Sequence, residues 1–591
     1  MYRAPLADIL FALKHIAPFP DSPSEVDDEL ASDVLTAAAR FAEGVIYPLD
    51  APGDKVGARF TAGAVTTPAG WREAYQGWCA GGWNGLGAPE EFGGQALPAT
   101  LAMAAQEIWN SASMAFAVGP LLTSGAIEAL TRHATPELGA LYLPKLVAGE
   151  WMATMNLTEP QAGSDLGALR ARAERHGDGT YRIFGQKIFI TYGEHDLTEN
   201  IVHLVLARLP DAPPGTRGIS LFLVPKFLPQ PDGALLRNDV VCAGIEQKLG
   251  IHASPTCTMV YGEGHNGAEP GAIGFLVGEE HRGLACMFTM MNNARLAIGV
   301  QGTGIAERAL QLAEAYARER RQGRAAGVAP GIVQGDMQPI LVHPDIRRML
   351  LTMRGLTAAS RALCTACAAS IDRGRAGDDF WRMRADLLTP VAKGFPTDSG
   401  FDVASLGVQI HGGAGYIEET GAAQALRDAR IAPIYEGTNG IQAIDLVVRK
   451  LPLADGAAFA GYVDELRTIP TRLAAENRPE LGRTAEKVAA SLEDLSSAGD
   501  HLLQELSHGR ADAALAGATP FLRLFGLAAG GAYLGLGALA REEEGNESRT
   551  ALARFFAERL LPETAALRET IIDGADAIPA ANARIFAGQV G

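Results

Sequence analysis

The chain has 591 residues, 47% of them apolar and 20% charged, which is the balance of a folded globular protein and excludes a disordered one. At roughly 150 residues per domain, that length implies about four domains. Lys plus Arg number 51 against 68 Asp plus Glu, a net charge of -17, which excludes nucleic acid and anionic lipid as expected partners but leaves room for small anions at local basic clusters.

The predicted elements fall into four blocks. Residues 1–150 read as helices: LADILFALKHI, DVLTAAARFAEGVI and PATLAMAAQEIWN repeat apolar residues at three and four spacing, with Pro and Gly between them. The opening stretch carries Asp8 within its apolar run and has no cleavage-site pattern, so no secretory signal is expected. Over 151–285 the texture changes to short β-branched runs, YRIFGQKIFIT, IVHLVLARL and GISLFLVP, which predict a β domain. Residues 286–450 return to long helical periodicity. LPLADGAAFAG, near 451–461, reads as a linker, and 451–591 as an additional helical domain. Strands gathered in one block, not alternating with helices, predict an α+β multidomain protein and not a doubly wound α/β sheet.

Six cysteines, at 79, 242, 257, 286, 364 and 367, are too few and too scattered for a disulfide framework and suggest a reducing, cytoplasmic compartment. Cys364 and Cys367 form a lone CxxC in an Ala-rich helix and read as core thiols. Leu524 to Ala540 is a long uncharged run; it holds five glycines, falls short of the ~20 residues of a membrane span, and reads as a packed helix pair. No P-loop or HExxH is present, and Gly299, Gly302 and Gly304 follow no strand, so they favour close helix packing over nucleotide binding. No metal site is expected.

Three segments carry chemistry. In Met155-Asn-Leu-Thr158-Glu159-Pro160-Gln-Ala-Gly163-Ser164-Asp165, a Gly-Ser-Asp turn offers N–H groups and a hydroxyl to phosphate or flavin oxygens. In Gly185-Gln-Lys-Ile-Phe189-Ile190-Thr191, strand alternation places Phe189 and Thr191 on one face, an aromatic and a hydroxyl suited to a planar heterocycle. In Ile434-Tyr435-Glu436-Gly437-Thr438, a carboxylate lies between bulky neighbours, where desolvation raises its pKa toward that of a general base. Singly, these are also a polar turn, a half-buried strand and a solvated turn glutamate.

Together and in this order, TEPQAGSD and IYEGT resemble the acyl-CoA dehydrogenase family over roughly residues 30–450. The resemblance implies a helical domain, a β-barrel-like middle domain and a four-helix bundle, with FAD as cofactor. It implies that Thr158, Gly163 and Ser164 contact the flavin ring and pyrophosphate, that Phe189 stands where tryptophan usually faces the isoalloxazine, and that Thr191 bonds flavin N5. By the same resemblance Arg320 reaches the FAD pyrophosphate of a neighbouring subunit, Gln409 and Gly413 cradle the adenosine end, and Thr438 is a further flavin contact. Arg295, Tyr435 and Gly437 fall on the substrate side. Glu436 matches the catalytic base; the family's second base location is here Ala294, which takes no proton. Departures are Phe189 for tryptophan, Gly440 where many members have glutamine, and Gly323 where an aromatic is common.

The implied reaction is α,β-dehydrogenation of an acyl-CoA thioester to a trans-2-enoyl-CoA, with electron-transfer flavoprotein taking the electrons. The extra C-terminal helices resemble those of the large subgroup, and KLGIHASPTC and YRAPLADILFAL are most similar to its bacterial 3-methylmercaptopropionyl-CoA dehydrogenases. A homodimer is expected, because the extension would cover the surface that smaller members use to form tetramers. Membrane attachment is not expected. The expected substrate is 3-methylmercaptopropionyl-CoA or a short or medium acyl-CoA; rival readings are a long-chain fatty acyl-CoA dehydrogenase, an acyl-CoA oxidase, and a catalytically silent scaffold.

Overall fold

The computed structural model describes residues 2–16, 26–265, 269–324, 337–541 and 543–575, together with 577, 578, 581 and 585, and of 292 and 293 only the backbone. The chain divides into two compact units. One comprises Arg40–Pro98 and Ala112–Ala294, the other Met1–Ala39, Ala99–Ser111 and Arg295–Gly591.

The first unit carries the sheet. Helix Met114–His133 begins where the buried Ser113 hydroxyl accepts the Phe116 N–H at 3.3 Å, and it is buried nearly all round because its sequence is apolar on every face. Helix Pro136–Val147 starts on a Thr-Pro pair, Thr135 capping the Leu138 N–H. Strands then pair in the order Val240–Ile245, Thr256–Tyr261, Tyr181–Thr191, Ala272–Val277, Ile219–Pro225, Asn200–Arg208, Trp151–Asn156. Strand Arg172–Arg175 pairs antiparallel with Tyr181–Thr191 and touches Asn200–Arg208 through Arg172 and Arg208. It thereby closes five strands into a ring, the barrel-like domain the sequence predicts. Ile219–Pro225 is buried at every residue, as a strand covered on both faces must be.

The second unit is helical. Its long helices are Gly283–Glu319 (from Arg295 on), Pro344–Arg375 and Asp379–His411. Gly299 and Gly302 set how closely the first and last of these approach: a Cβ at Gly299 would stand 1.7 Å from the Ala392 carbonyl oxygen, and one at Gly302 would stand 2.5 Å from that of Pro396. Cys364 and Cys367 are buried core thiols, as expected. After a turn at 451–456, shorter than the expected linker, the chain resumes helix at Ala457–Ala475 and continues through Thr484–Ser507, Ala518–Ala538, Asn546–Arg559 and Glu563–Ile572. These helices share one hydrophobic core with the bundle, running from Leu296 to Ile571.

The expected helix pair at 524–540 is instead one helix, Ala518–Ala538, which passes through Arg523 because that side chain is neutralised by Glu563. This helix and Met114–His133 are long and apolar enough to cross a bilayer, and 83% of each apolar window is buried.

Candidate active site

In the sheet unit, the Thr158–Asp165 turn leaves the end of the fully buried strand Trp151–Asn156. Glu159 fixes its shape: its carboxylate accepts the Arg170 N–H at 2.7 Å, the Ala171 N–H at 2.9 Å and the Lys187 ammonium at 2.8 Å. Burial pushes the Glu159 carboxyl up, but Lys187 and the two N–H groups outweigh it and hold it below the usual value. Burial likewise draws Lys187 down to about 8 against the pull of Glu159. The turn is thus tied to strand Tyr181–Thr191, the strand that carries Phe189 and Thr191. Thr158 is half-buried and Ser164 exposed. Gly163 has nothing within 4 Å of where a Cβ would be, so its backbone is open to a ligand.

Phe189 and Thr191 both lie on the less buried side, with buried Ile190 between them. The alternation is not continuous, however. The strand bulges against Thr256–Tyr261 between Cys257 and Met259, and Phe189 adopts φ +60°. A phenyl ring 58% exposed on a left-handed backbone is costly unless a flat apolar group covers it. Two hydrogen bonds hold the strand's end: the Thr154 hydroxyl donates to the Thr191 carbonyl at 2.6 Å, and the Tyr192 hydroxyl to that of Ala115 at 2.9 Å.

In the helical unit, Glu436 lies in the loop between helices Ala422–Ala429 and Asn439–Asp445. Its backbone is left-handed at φ +55°, followed by Gly437 at +84°. A non-glycine residue there is strained, and several bonds enforce the turn. The Asn439 N–H donates to the Pro433 carbonyl at 3.0 Å, the Gln442 amide to the carbonyls of Glu436 at 3.3 Å and Gly437 at 3.4 Å, and the Thr438 hydroxyl accepts the Ile441 N–H at 3.3 Å. The Tyr435 hydroxyl donates to Gln301 on the neighbouring helix. Burial raises the Glu436 carboxyl to about 7, opposed by Arg295 and Lys393. Arg295 is itself buried and paired with Asp445 at 3.2 Å. A half-buried carboxylate with proton affinity near neutrality, on a rigid strained loop, is suited to accept a proton from carbon.

Arg320, Gln409 and Gly413 lie at adjoining helix ends and are exposed. Tyr316, one turn before Arg320, stacks on His411 with ring centroids 4.4 Å apart, and Gly413 has open space around its Cβ position.

Comparison with known proteins identifies the family. Family profiles match in sequence: the acyl-CoA dehydrogenase N-terminal domain at residues 29–150, its middle domain at 154–263, its C-terminal domain at 281–451, and an acetyl-CoA dehydrogenase C-terminal-like domain at 462–581. The 3-methylmercaptopropionyl-CoA dehydrogenase of Ruegeria pomeroyi is 46% identical, over 98% of this chain and 99% of that one. The chain belongs to the acyl-CoA dehydrogenase family. The broad-specificity linear acyl-CoA dehydrogenase FadE5 of Mycobacterium tuberculosis is 32% identical over 93% of both chains. Caenorhabditis elegans ACDH-11, solved in complex with C11-CoA, shares the fold with a TM-score of 0.78 over 100% of this chain and 96% of that one, at 21% identity.

FAD is the cofactor of the acyl-CoA dehydrogenase family, and residues of the sheet unit fit its flavin: an exposed ring at Phe189, hydroxyls at Thr158 and Ser164, and open glycine backbone at Gly163. The helical unit, by itself, offers the Thr438 hydroxyl and open backbone at Gly413. Sequence reasoning passed over Lys187, Lys393, Asn439 and Gln301. The signal for Lys393 was a lone lysine in the apolar run LLTPVAKGF, and for Asn439 its place directly after IYEGT.

Proposed function

We propose that this acyl-CoA dehydrogenase family member desaturates an acyl-CoA thioester between its α and β carbons, and that 3-methylmercaptopropionyl-CoA or a short to medium acyl-CoA is its substrate. The observation that carries the reading is Glu436, a half-buried carboxylate raised to about 7 on a strained loop, in a chain 46% identical throughout to a 3-methylmercaptopropionyl-CoA dehydrogenase.

In this reading the Glu436 carboxylate removes the α proton, and its burial matches its proton affinity to that of an acidified C–H. The Glu436 N–H donates to the thioester oxygen as charge develops there. Tyr435 and Gly437 flank the base, Tyr435 held by Gln301 and Gly437 by Gln442. In the sheet unit Phe189 and Thr191, with Thr158, Gly163 and Ser164, would hold the flavin ring and pyrophosphate; in the helical unit Thr438 would be a further flavin contact, Arg320 would reach the FAD pyrophosphate of a neighbouring subunit, and Gln409 and Gly413 would cradle the adenosine end. Bound FAD supplies the two-electron acceptor for the β hydride. Electron-transfer flavoprotein then receives the electrons, and the protein works as a cytoplasmic homodimer. The domain limits 1–150, 151–285, 286–450 and 451–591 belong to the same reading.

The test is an anaerobic absorbance titration of the purified protein with a panel of acyl-CoAs that includes 3-methylmercaptopropionyl-CoA. Bleaching of the flavin band is the expected outcome, fastest with the thioether substrate. Faster bleaching by linear acyl-CoAs would move the assignment toward the FadE5-like relatives, and rapid aerobic turnover without an acceptor toward an oxidase. A colourless protein that takes up no FAD would overturn the reading.

A further inference from the structure

Lys393 lies in helix Asp379–His411 and is fully buried, which lysines almost never are without a partner that needs their charge. Its ammonium donates to an amide oxygen, Asn439 Oδ1, at 2.8 Å. That amide is the hub of the loop behind the base. Asn439 Nδ2 donates to Asp398 at 2.7 Å, to the Thr397 hydroxyl at 2.9 Å and to the Gly394 carbonyl at 3.2 Å. Asn439 is three residues from Glu436, and its own N–H closes the turn onto Pro433.

We propose that Lys393 is a positioning residue for Glu436: its ammonium anchors Asn439, and with it the loop that carries the base, and it supplies a positive charge against which the carboxylate ionises. The proposal rests on the reading of Glu436 as the base. The bland alternative is a lysine kept only for packing. It fits poorly, because a buried ammonium must be stripped of water, and an apolar side chain of similar length would pack without that cost.

The charged and titratable groups that face Glu436 are few. Arg295 comes from helix Gly283–Glu319 and is already engaged by Asp445, which also binds Arg449 at 2.6 Å. Lys393 comes from helix Asp379–His411, accompanied by Asp398, and Tyr435 comes from the loop itself. Lys393 is thus the cation on this side that no carboxylate contacts directly in a hydrogen bond, among the described residues. Burial draws it down to about 7, against the opposing pull of Asp398 and Glu436. Its charge is therefore present below about 7 and is lost above it, so the ammonium titrates over the same range in which Glu436 loses its proton. Without the ammonium, the carboxylate has to ionise against Arg295 alone, and the base becomes competent only at higher pH.

The experiment is stopped-flow flavin bleaching of the holoenzyme across the neutral pH range, using the acyl-CoA that bleaches the wild type fastest. Lys393→Met is expected to move the acid limb of the rate profile up by about one pH unit, a loss of about tenfold on that limb. Lys393→Arg, which keeps the charge, is expected to leave the limb where it is or lower it. If Lys393→Met does not retain FAD, Lys393→Gln, which keeps a donor for Asn439 without the charge, must show the raised limb. A uniform loss of rate with an unmoved limb in the uncharged variant would overturn the proposal while leaving the dehydrogenase reading intact. A wild-type flavin that no acyl-CoA bleaches would overturn both.

Discussion

Lys187 Nζ donates to Glu159 Oε1 at 2.8 Å with the lysine wholly buried and the glutamate 4% exposed, so one ion pair fastens the TEPQAGSD turn to the strand of Phe189 and Thr191. Such a pair contributes little relative to an apolar replacement of both partners, but removal of one leaves a buried charge alone. Lys187→Met is expected to cost about 3–5 kcal/mol and to release FAD, read as a lower melting temperature and a lower flavin-to-protein ratio. Lys187→Met with Glu159→Gln should recover part of the loss. Glu159 is held below its ordinary 4.5, so its contribution is complete above that value and is lost as pH falls through the folded pKa. A single variant as stable as wild type would show that the pair bears no load.

The order of helical, β and helical blocks was legible because periods of 3.6 and 2 survive in the sequence, and the TEPQAGSD and IYEGT turns because their Gly, Ser, Asp and Thr are local turn chemistry. What escaped the sequence was whatever depended on a distant partner. The bulge at Phe189 adds a residue to one strand of a pair, and no alternation rule sees the strand opposite. The uncharged run from Leu524 stops at Arg523, yet the helix runs on through Arg523, which pairs with Glu563, 40 residues on. Lys393 was passed over, since its role is set by Asn439 and the loop of Glu436.

Glu436 carries a signature in stability as well as in rate. Its folded pKa of about 7 exceeds the 4.5 of an exposed glutamate, so between those values the folded state binds more protons than the unfolded. Stability attributable to this group therefore falls as pH rises from about 4.5 to about 7 and stays low above that. Glu436→Gln removes the penalty. Its melting temperature should match wild type near about pH 5 and exceed it by roughly 2–4 °C near about pH 8, while flavin bleaching is lost and FAD retained. An equal gap at both pH values, or undiminished bleaching, would refute the assignment of a desolvated base.

A second buried charge cluster, within the helical unit, gives an independent test of the same electrostatic logic. Arg361 in helix Pro344–Arg375 bridges two buried carboxylates, its Nε donating to Glu107 at 2.8 Å and its Nη2 to Glu307 at 2.9 Å. Burial raises the Glu107 carboxyl, Arg361 pulls it back, and Glu307 and Asp8 push it up again. With Arg361 in place the two acids share one cation; with Arg361→Met they must ionise beside each other in an apolar setting or take up a proton. The folded state of the variant then binds more protons than the unfolded state above about pH 4.5, so its stability falls as pH rises. Arg361→Met should therefore lose about 3–5 kcal/mol near about pH 8, and visibly less near about pH 5, where protonation relieves the repulsion. Chemical denaturation at the two pH values reads the difference, and Glu107→Gln in the Arg361→Met background should restore part of the alkaline loss. A loss independent of pH would mean that packing of the long arginine stem, and not its charge, is what the cluster contributes.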